Sequence, residues 1–558
     1  MYTFYKELKH RWLAAAILIA TVLSGAASWS LAAPQPASSI PDLAAWAAQR
    51  VPGDTEVLIT ADAGKSPQGA FNTAEIREIM GRLERLLSLV DLEDFIPDDI
   101  TAKDLEWLAD QAVILGRWPR ENEPLTGALI LRTKDEALAK AFLENELPDV
   151  PHALQDGMVY IASSDELLKS IRGQASSALS ESPQFKTARQ RSEYGQAAFI
   201  YADLQYMAPK AVELLAAAVN DDNPEQTATA NFSDLQTLAS SLRCLIGGEN
   251  YSEGFGKSEL YLLADPAKSG ELGHIAFNPS YNIEHPALAQ HPGQAQLCYA
   301  VNLQYDYNFL YALLGAHPIG KALRSYPNAI LQAYDLNMEK DVLGELLTGS
   351  LVGSIDKFNY SYLHFQAKPS PESAIPDEKQ KPAVKGDRLG LFLDALANSD
   401  WRISLDLRDR QKLTSMAKRL DILQQLSDGK LASGTQGQQP DAGGLRWGSL
   451  PLAKLIGNTV WIAGKPEACG PAADQEAKWG QRACWKTLQA MNGSKAAAMW
   501  MRNNEALVEY LKSQNQQTGQ QDIAAIADLL RSRSRVQCGS MVILPDGLRF
   551  CEVSEEKR

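Results

Sequence analysis

The side chains able to do chemistry in this sequence are few and scattered. Cys244, Cys298, Cys469, Cys484, Cys538 and Cys551 are the candidates for thiol or disulfide chemistry. His10, His152, His274, His285, His291, His317 and His364 are the candidates for proton transfer or metal ligation. No CxxC is present, so thiol-redox motifs and zinc ribbons have no support. HExxH is missing, no His/Cys/Asp group has metal-ligand spacing, and calcium-loop spacing is absent. His285 and His291 lie in a Pro-containing stretch and read as exposed linker residues. The hydrolase elbow GxSxG is approached only by Gly349-Ser350-Leu351-Val352-Gly353, with its serine one place early. SxxK occurs at Ser415 and Lys418 and at Ser354 and Lys357, without its SDN and KTG partners. Gly64-Lys65-Ser66 and Gly256-Lys257-Ser258 end like a P-loop, but Ile59 and Tyr251 replace the glycine that would open it. No catalytic, cofactor-binding or metal-binding residue is therefore assigned, and no cofactor is expected.

The cysteines have a second reading. Their number is even, and in an oxidising compartment they can pair, with fifteen connectivities open to six thiols. Cys538 and Cys551 flank the turn signal Pro545-Asp546-Gly547, and Cys469 and Cys484 close a short Gly/Ala/Pro-containing loop. Cys244 and Cys298 remain as a third pair or as free thiols.

The compartment is argued from the N-terminus. Lys6, Lys9 and Arg11 precede an uncharged run over 12–33, long enough to span a bilayer. The basic flank favours a cytoplasmic end and delivery of the remainder across the membrane. Ser30-Leu31-Ala32-Ala33 suits a signal peptidase, so residues 1–33 are a signal peptide or an uncleaved signal anchor, with 34–45 as a tether. The run holds no cysteine, which argues against a lipoprotein. The expected location is periplasmic or extracytoplasmic, anchored to the inner membrane or released. The chain's net charge of -14 gives bulk electrostatics no attraction for nucleic acid or anionic lipid. At 558 residues with 45% hydrophobic content, it is long enough for more than one packed core.

Four segments repeat one pattern. Residues 57–62, 198–203, 297–302 and 498–503 are apolar runs, rich in branched or aromatic residues, that end in Asp62, Asp203, Asn302 and Asn503. Each leads into a helix-like stretch, and the terminal Asx side chain suits a cap on the first free amides. Ile76, Ile79, Leu83, Leu86 and Leu87 recur at helical spacing in the first unit. Further strands are expected at 112–115, 128–131, 158–161, 260–263, 350–357, 360–366, 401–407, 459–462, 536–544 and 548–553. Helices are expected at 135–146, from Asp165, at 409–426 and after Ala473.

The fold expected is α+β: duplicated strand–helix–hairpin units forming mostly antiparallel sheets covered by helices, in two similar halves after one N-terminal hydrophobic helix. The halves fall at 46–265 and 294–558 around a linker at 266–293, with flexible loops at 367–387 and 428–447 in the second. The aromatics Tyr299, Tyr305, Tyr307, Phe309 and Tyr311 read as core of the third repeat rather than a ligand groove.

Several of these segments resemble the bacterial family called domain of unknown function 3352. Val51-Pro52-Gly53-Asp54-Thr55-Glu56-Val57-Leu58-Ile59 looks like its opening motif, and Trp107-Leu108-Ala109-Asp110-Gln111-Ala112-Val113 like its next block. Residues 153–164 and Ser182-Pro183-Gln184-Phe185 fit as well. The resemblance covers roughly 50–210 and rests on packing and turn motifs. A weaker resemblance in layout links the chain to an uncharacterised envelope family found near bacterial alpha-2-macroglobulins. The first family implies an exported or membrane-tethered protein and carries no catalytic residues to transfer. The expectation is a non-enzymatic envelope protein, a binding or scaffold module with an envelope protein partner. The alternatives are a periplasmic hydrolase whose site assembles from distant segments, and a subunit of an envelope complex.

Overall fold

A computed structural model describes residues 40–65, 107–118, 120, 126–173, 177–222, 232–314, 325, 328–329, 331–332, 335–358, 399–415, 444–445, 452–464, 469–472, 478–505, 508–509, 511–513 and 536–555. The N-terminal segment 1–33, the helix carrying Ile76 to Leu87, the strand at 360–366, the loop 367–387 and nearly all of 428–447 lie outside the described residues. Mixed helix and strand form a large antiparallel sheet covered by helices. Among the described residues no helix is long and apolar enough to cross a membrane.

The chain divides into two compact units. The first holds the described residues up to 280, residues 308–314 and residues 541–555. The second holds 281–307 and the described residues from 325 to 540. The stretch 266–293, expected as a linker, carries a helix at Gly270–Ala276 in the first unit and the 3-10 helix Pro286–Gln290 in the second.

The first unit is built on strand β1 (Val57–Asp62), which pairs antiparallel with β2 (Leu108–Gly116) on one side and β6 (Ala198–Asp203) on the other. Beyond β2 come β3 (Gly127–Thr133), β5 (Met158–Ala162) and β4 (His152–Gln155). Beyond β6 come β7 (Leu242–Ser252) and β8 (Phe255–Ala264). The last described strand, β19 (Gly547–Glu555), joins this sheet against β8, from Gly547 opposite Leu263 to Glu555 opposite Phe255. Arg549 holds the buried Glu259 across that pair at 3.1 Å, and Arg191 pairs with Asp546.

Local chemistry sets the helices of this unit. Helix α1 (Leu43–Arg50) starts where Asp42 accepts from the Ala45 amide at 2.9 Å, and the chain turns extended at Val51, before Pro52. Helix α2 (Glu136–Glu146) is capped by Asp135, which accepts from the Ala137 and Leu138 amides. Helix α3 (Asp165–Arg172) has Ser164 as its cap, acids in the first turn and bases in the last, as the helix dipole favours. Helix α4 (Pro183–Arg189) begins with proline at N1 behind Ser182. One sheet face, with Leu58, Val113, Leu115, Ile130 and Tyr160, packs on apolar residues of α1, α3 and α4. The other face, with Ile200, Ala202 and Leu245, packs on Leu204 and Met207 as helix α5 (Met207–Asp222) begins.

In the second unit β10 (Leu297–Asn302) pairs antiparallel with β11 (Leu347–Lys357) and β17 (Ala498–Asn503). Beyond β11 come β12 (Asp400–Leu407), β15 (Thr459–Ala463) and β14 (Leu452–Ile456). Leu336, Leu343, Leu346, Leu347, Leu407 and Val460 form a core on one face, next to a π-helical segment at Met338–Leu346. All four Asx residues that end the repeat strands cap the chain that follows, each accepting from the amide two residues on. The bonds are Gly64 to Asp62 (3.0 Å), Gln205 to Asp203 (3.0 Å), Gln304 to Asn302 (2.9 Å) and Glu505 to Asn503 (3.1 Å).

Candidate functional site

The side chains with chemical potential gather where the sheets meet their covering segments. In the first unit Asp62, at the end of β1, lies opposite Gln111 on β2. Gln111 donates to Asp62 Oδ2 at 2.8 Å and to the Ile40 carbonyl at 3.0 Å. Asp110 and Arg132 form a buried ion pair at 3.2 Å beside them, and among the described residues no donor is aligned on Asp110 Oδ2. Burial raises the Asp62 carboxyl above its ordinary value, Gln111 opposes this, and the charge of Asp110 adds to the rise. A methyl group on Gly64 would meet Asp110 Oδ2 at 3.0 Å and Asp62 Oδ1 at 3.2 Å, so a side chain there would crowd these two carboxylates.

The second unit places other chemistry at the same register. Asn302, at the end of β10, lies opposite Ser350 on β11. Ser350 Oγ sits 3.1 Å from His285 Nδ1, and His285 Nε2 sits 3.2 Å from the Ala496 carbonyl. A carbonyl can only accept, so Nε2 carries the ring proton and Nδ1 accepts from the Ser350 hydroxyl. Asp406 on β12 receives the Thr459 hydroxyl at 2.7 Å. Burial lifts the Asp406 carboxyl, while Thr459 and the Ala287 amide favour its ionised form. Ser350 has one proton, and donating it to His285 leaves Asp406 without it. Serine, histidine and aspartate from three distant segments thus meet, in the order His285, Ser350, Asp406. That order differs from a hydrolase triad, in which histidine stands between serine and acid.

Access decides what this cluster can do as it stands. Ser350 is 1% exposed, His285 5% and Asp406 6%. Gly349 adopts a positive φ of 97° with the Asn302 side chain 2.9 Å from where a Cβ would stand, and Ser350 follows within β11 rather than on a strand-to-helix turn. The approach of residues 349–353 to a nucleophile elbow is therefore a strand pattern. Gly256-Lys257-Ser258 likewise lies inside β8, where no phosphate cradle forms.

His291 is the second buried imidazole. It is fully buried, with Nε2 3.2 Å from Ser404 Oγ, its ring 5.1 Å from that of Trp461, and, among the described residues, no partner on Nδ1. Arg402 nearby is tied to Asp356 (Nε to Oδ2, 2.8 Å) and to the Gly470 carbonyl (2.9 Å). Burial pushes His285 down to about 4 and His291 down to about 3, the latter with help from the Arg402 charge. The expectation that both histidines are exposed linker residues is corrected. They are core residues of the second unit, because segment 281–296 covers its sheet.

No protein-family model, curated protein or solved structure matches the chain.

All six cysteines are buried, and no two stand at disulfide distance in this structure. Cys244 lies in the first unit and Cys298 in the second; Cys469 and Cys484 both lie in the second. Burial pushes the Cys244 thiol up to about 12 and raises Cys298 and Cys469, which disfavours the nucleophilic thiolate. Cys469 donates to the Trp461 carbonyl at 3.3 Å. Of the aromatic group, Tyr305 is buried with its ring 5.4 Å from Tyr281, and Tyr307 packs on the second unit's core. Tyr299 is 45% exposed on the sheet face and is not core. Among the described residues no three His, Cys, Asp or Glu side chains converge as a metal-binding group.

Sequence reasoning missed one further correspondence. Pro52-Gly53 precedes β1 by the same offset at which Pro292-Gly293 precedes β10. Both prolines make an isolated bridge, Pro52 with Ala178 and Pro292 with Lys478. The residue before each proline accepts an amide at 3.1 Å, Leu179 to Val51 and Trp479 to His291. The Pro-Gly pairs at equal offsets were the available signal.

Proposed function

We propose that the chain is an exported bacterial envelope protein whose body is a duplicated binding or scaffold module. Residues 1–33 hold it to the inner membrane or are removed as a signal. The observation that carries the duplication is the repeated strand register. The pairings of Asp62 with Gln111 and Arg132 with Met158 correspond to those of Asn302 with Ser350 and Asp406 with Thr459. Register shifts recur at matching places, between Leu108 and Ala112 and between Leu347 and Leu351. The Pro-Gly bridges match as well. A bulge and register shared at this level argue for two copies of one unit, with the resemblance to the domain of unknown function 3352 family resting on the first copy. Duplicated, helix-covered sheets offer broad surfaces for an envelope protein partner.

Export is tested with a phosphatase fused after residue 558 and with protease added to spheroplasts. Activity of the fusion and digestion from outside support the reading; a protected, inactive fusion overturns it. One observation favours a hydrolase instead, the Ser350 hydroxyl donating to His285. A fluorophosphonate probe decides between the two. A covalent adduct on Ser350 in the folded protein would replace the scaffold reading.

A further inference from the structure

We propose that segment 281–295 is an acid-released cover on the sheet of the second unit. The inference does not depend on the compartment, so its failure would leave the reading of export untouched.

The cover is held at a few points. Ile283 and Glu284 pair with Ala496 and Lys495. Ala287, Leu288 and Ala295 are its fully buried apolar residues. The Ala472 amide donates to the Gln290 carbonyl at 2.9 Å and the Trp479 amide to the His291 carbonyl at 3.1 Å. Two histidine–serine contacts, His285 with Ser350 and His291 with Ser404, pin it to β11 and β12. The contacts fit neutral rings: Nδ1 of His285 accepts from the Ser350 hydroxyl, and among the described residues Nδ1 of His291 has no acceptor to receive a second N–H.

The surroundings decide whether a protonated ring finds compensation. Around His285 the titratable neighbour is Asp406, on the far side of Ser350. Around His291 they are Arg402 on β12, Asp356 on β11, Cys298 on β10 and Cys469 beside Trp461. Asp356 is already bound by Arg402 and by the Ser354 hydroxyl, and the unneutralised influence on His291 is the cation. Arg482 binds the Gly293 carbonyl, and Glu284 accepts from Ser494 at the cover's start. None of these sets an anion directly against either ring, and Asp406 reaches His285 only through Ser350. Below an ordinary histidine pKa of about 6.5, each ring gains a proton when the cover opens and loses it when the cover closes.

Hydrogen exchange of the whole protein reads this directly, because the Trp479 and Ala472 amides donate to the cover. The Leu179 amide, which donates to Val51 in the first unit, is the internal control. After correction for intrinsic rates, acidification from pH 7.5 to 5 is expected to lower protection at Trp479 and Ala472 relative to Leu179. The drop is roughly 30-fold per histidine, or on the order of several hundred-fold for both. His291→Val, which takes the residue found at the matching position of the first unit, should keep only the share of His285. His291→Gln serves the same purpose if valine impairs folding. A ratio that stays within about threefold across this pH range in the unmodified protein overturns the proposal, as does a full acid response in the His285→Gln, His291→Val double variant.

Discussion

The two units cover their sheets with segments of different chemistry. In the first, α1 lays Leu43, Ala44, Ala47, Ala48 and Val51 on Leu58, Val113, Leu115 and Ile130, an interface of hydrocarbon. In the second, a 3-10 turn presents Ala287 and Leu288 between two histidines that bond to serines. Burial of apolar area is indifferent to pH, whereas a buried neutral imidazole is a debt that grows as the solution acidifies. On the proposed duplication, one architecture carries a pH-indifferent cover and an acid-released one, and the difference lies in a handful of side chains.

The largest expected effect tests whether each cover rests on its own core. Trp461→Ala removes the ring beneath His291 and should cost about 3–5 kcal/mol in the second unit, and Phe185→Ala should do the same in the first. Urea unfolding followed by residue-resolved exchange should show each loss confined to its own unit; equal loss in both units from either change breaks the comparison.

Next in size is the pH dependence of the second unit. His285 and His291 are depressed to about 4 and about 3, so their contribution is full above about 6.5 and is lost as pH falls through those folded values. Each removes roughly 1.4 kcal/mol per pH unit in its window. Asp306, lifted by burial to about 6, works in the opposite direction from there down to an ordinary carboxyl value, and Asp406 shares that direction. The net slope between pH 6 and 4 should therefore approach that of one histidine or less. Chemical denaturation at several pH values gives it, and a second unit that grows more stable on acidification over this range refutes the balance.

Val51→His places the second unit's imidazole at the matching site of the first. It should cost about 1–3 kcal/mol at neutral pH, because no serine waits there, and should make the Leu179 amide acid-sensitive. Unchanged protection at Leu179 would show that the site tolerates either residue. The smallest effect is expected at the caps. Asn302→Ala removes an acceptor for Gln304 and a donor to the Tyr281 carbonyl, and should lower thermal stability by about 1 kcal/mol. Asp62→Asn keeps the turn at Gly64 and relieves a buried like-charge contact but turns an NH2 onto Gln111 Nε2, so it should also cost about 1 kcal/mol.

Much of this fold is readable from residue order. The alternation and branching of 57–62, 198–203, 297–302 and 498–503 select strands, and their terminal Asp or Asn accepts the next free amides whatever packs around them. The described strands expected after them, from 112–115 to 548–553, lie within observed strands for the same local reason. Placement of His285 and His291 was not readable, because Pro286 and Pro292 signal a turn but not what the turn lies against. Nor was the partner of β19, since pairing with β8 joins residues nearly 300 apart. Short-range hydrogen bonding and side-chain alternation are fixed by neighbours along the chain. Burial, tautomer and acid response depend on which distant segments close over a side chain, and only the assembled sheet and its cover decide those.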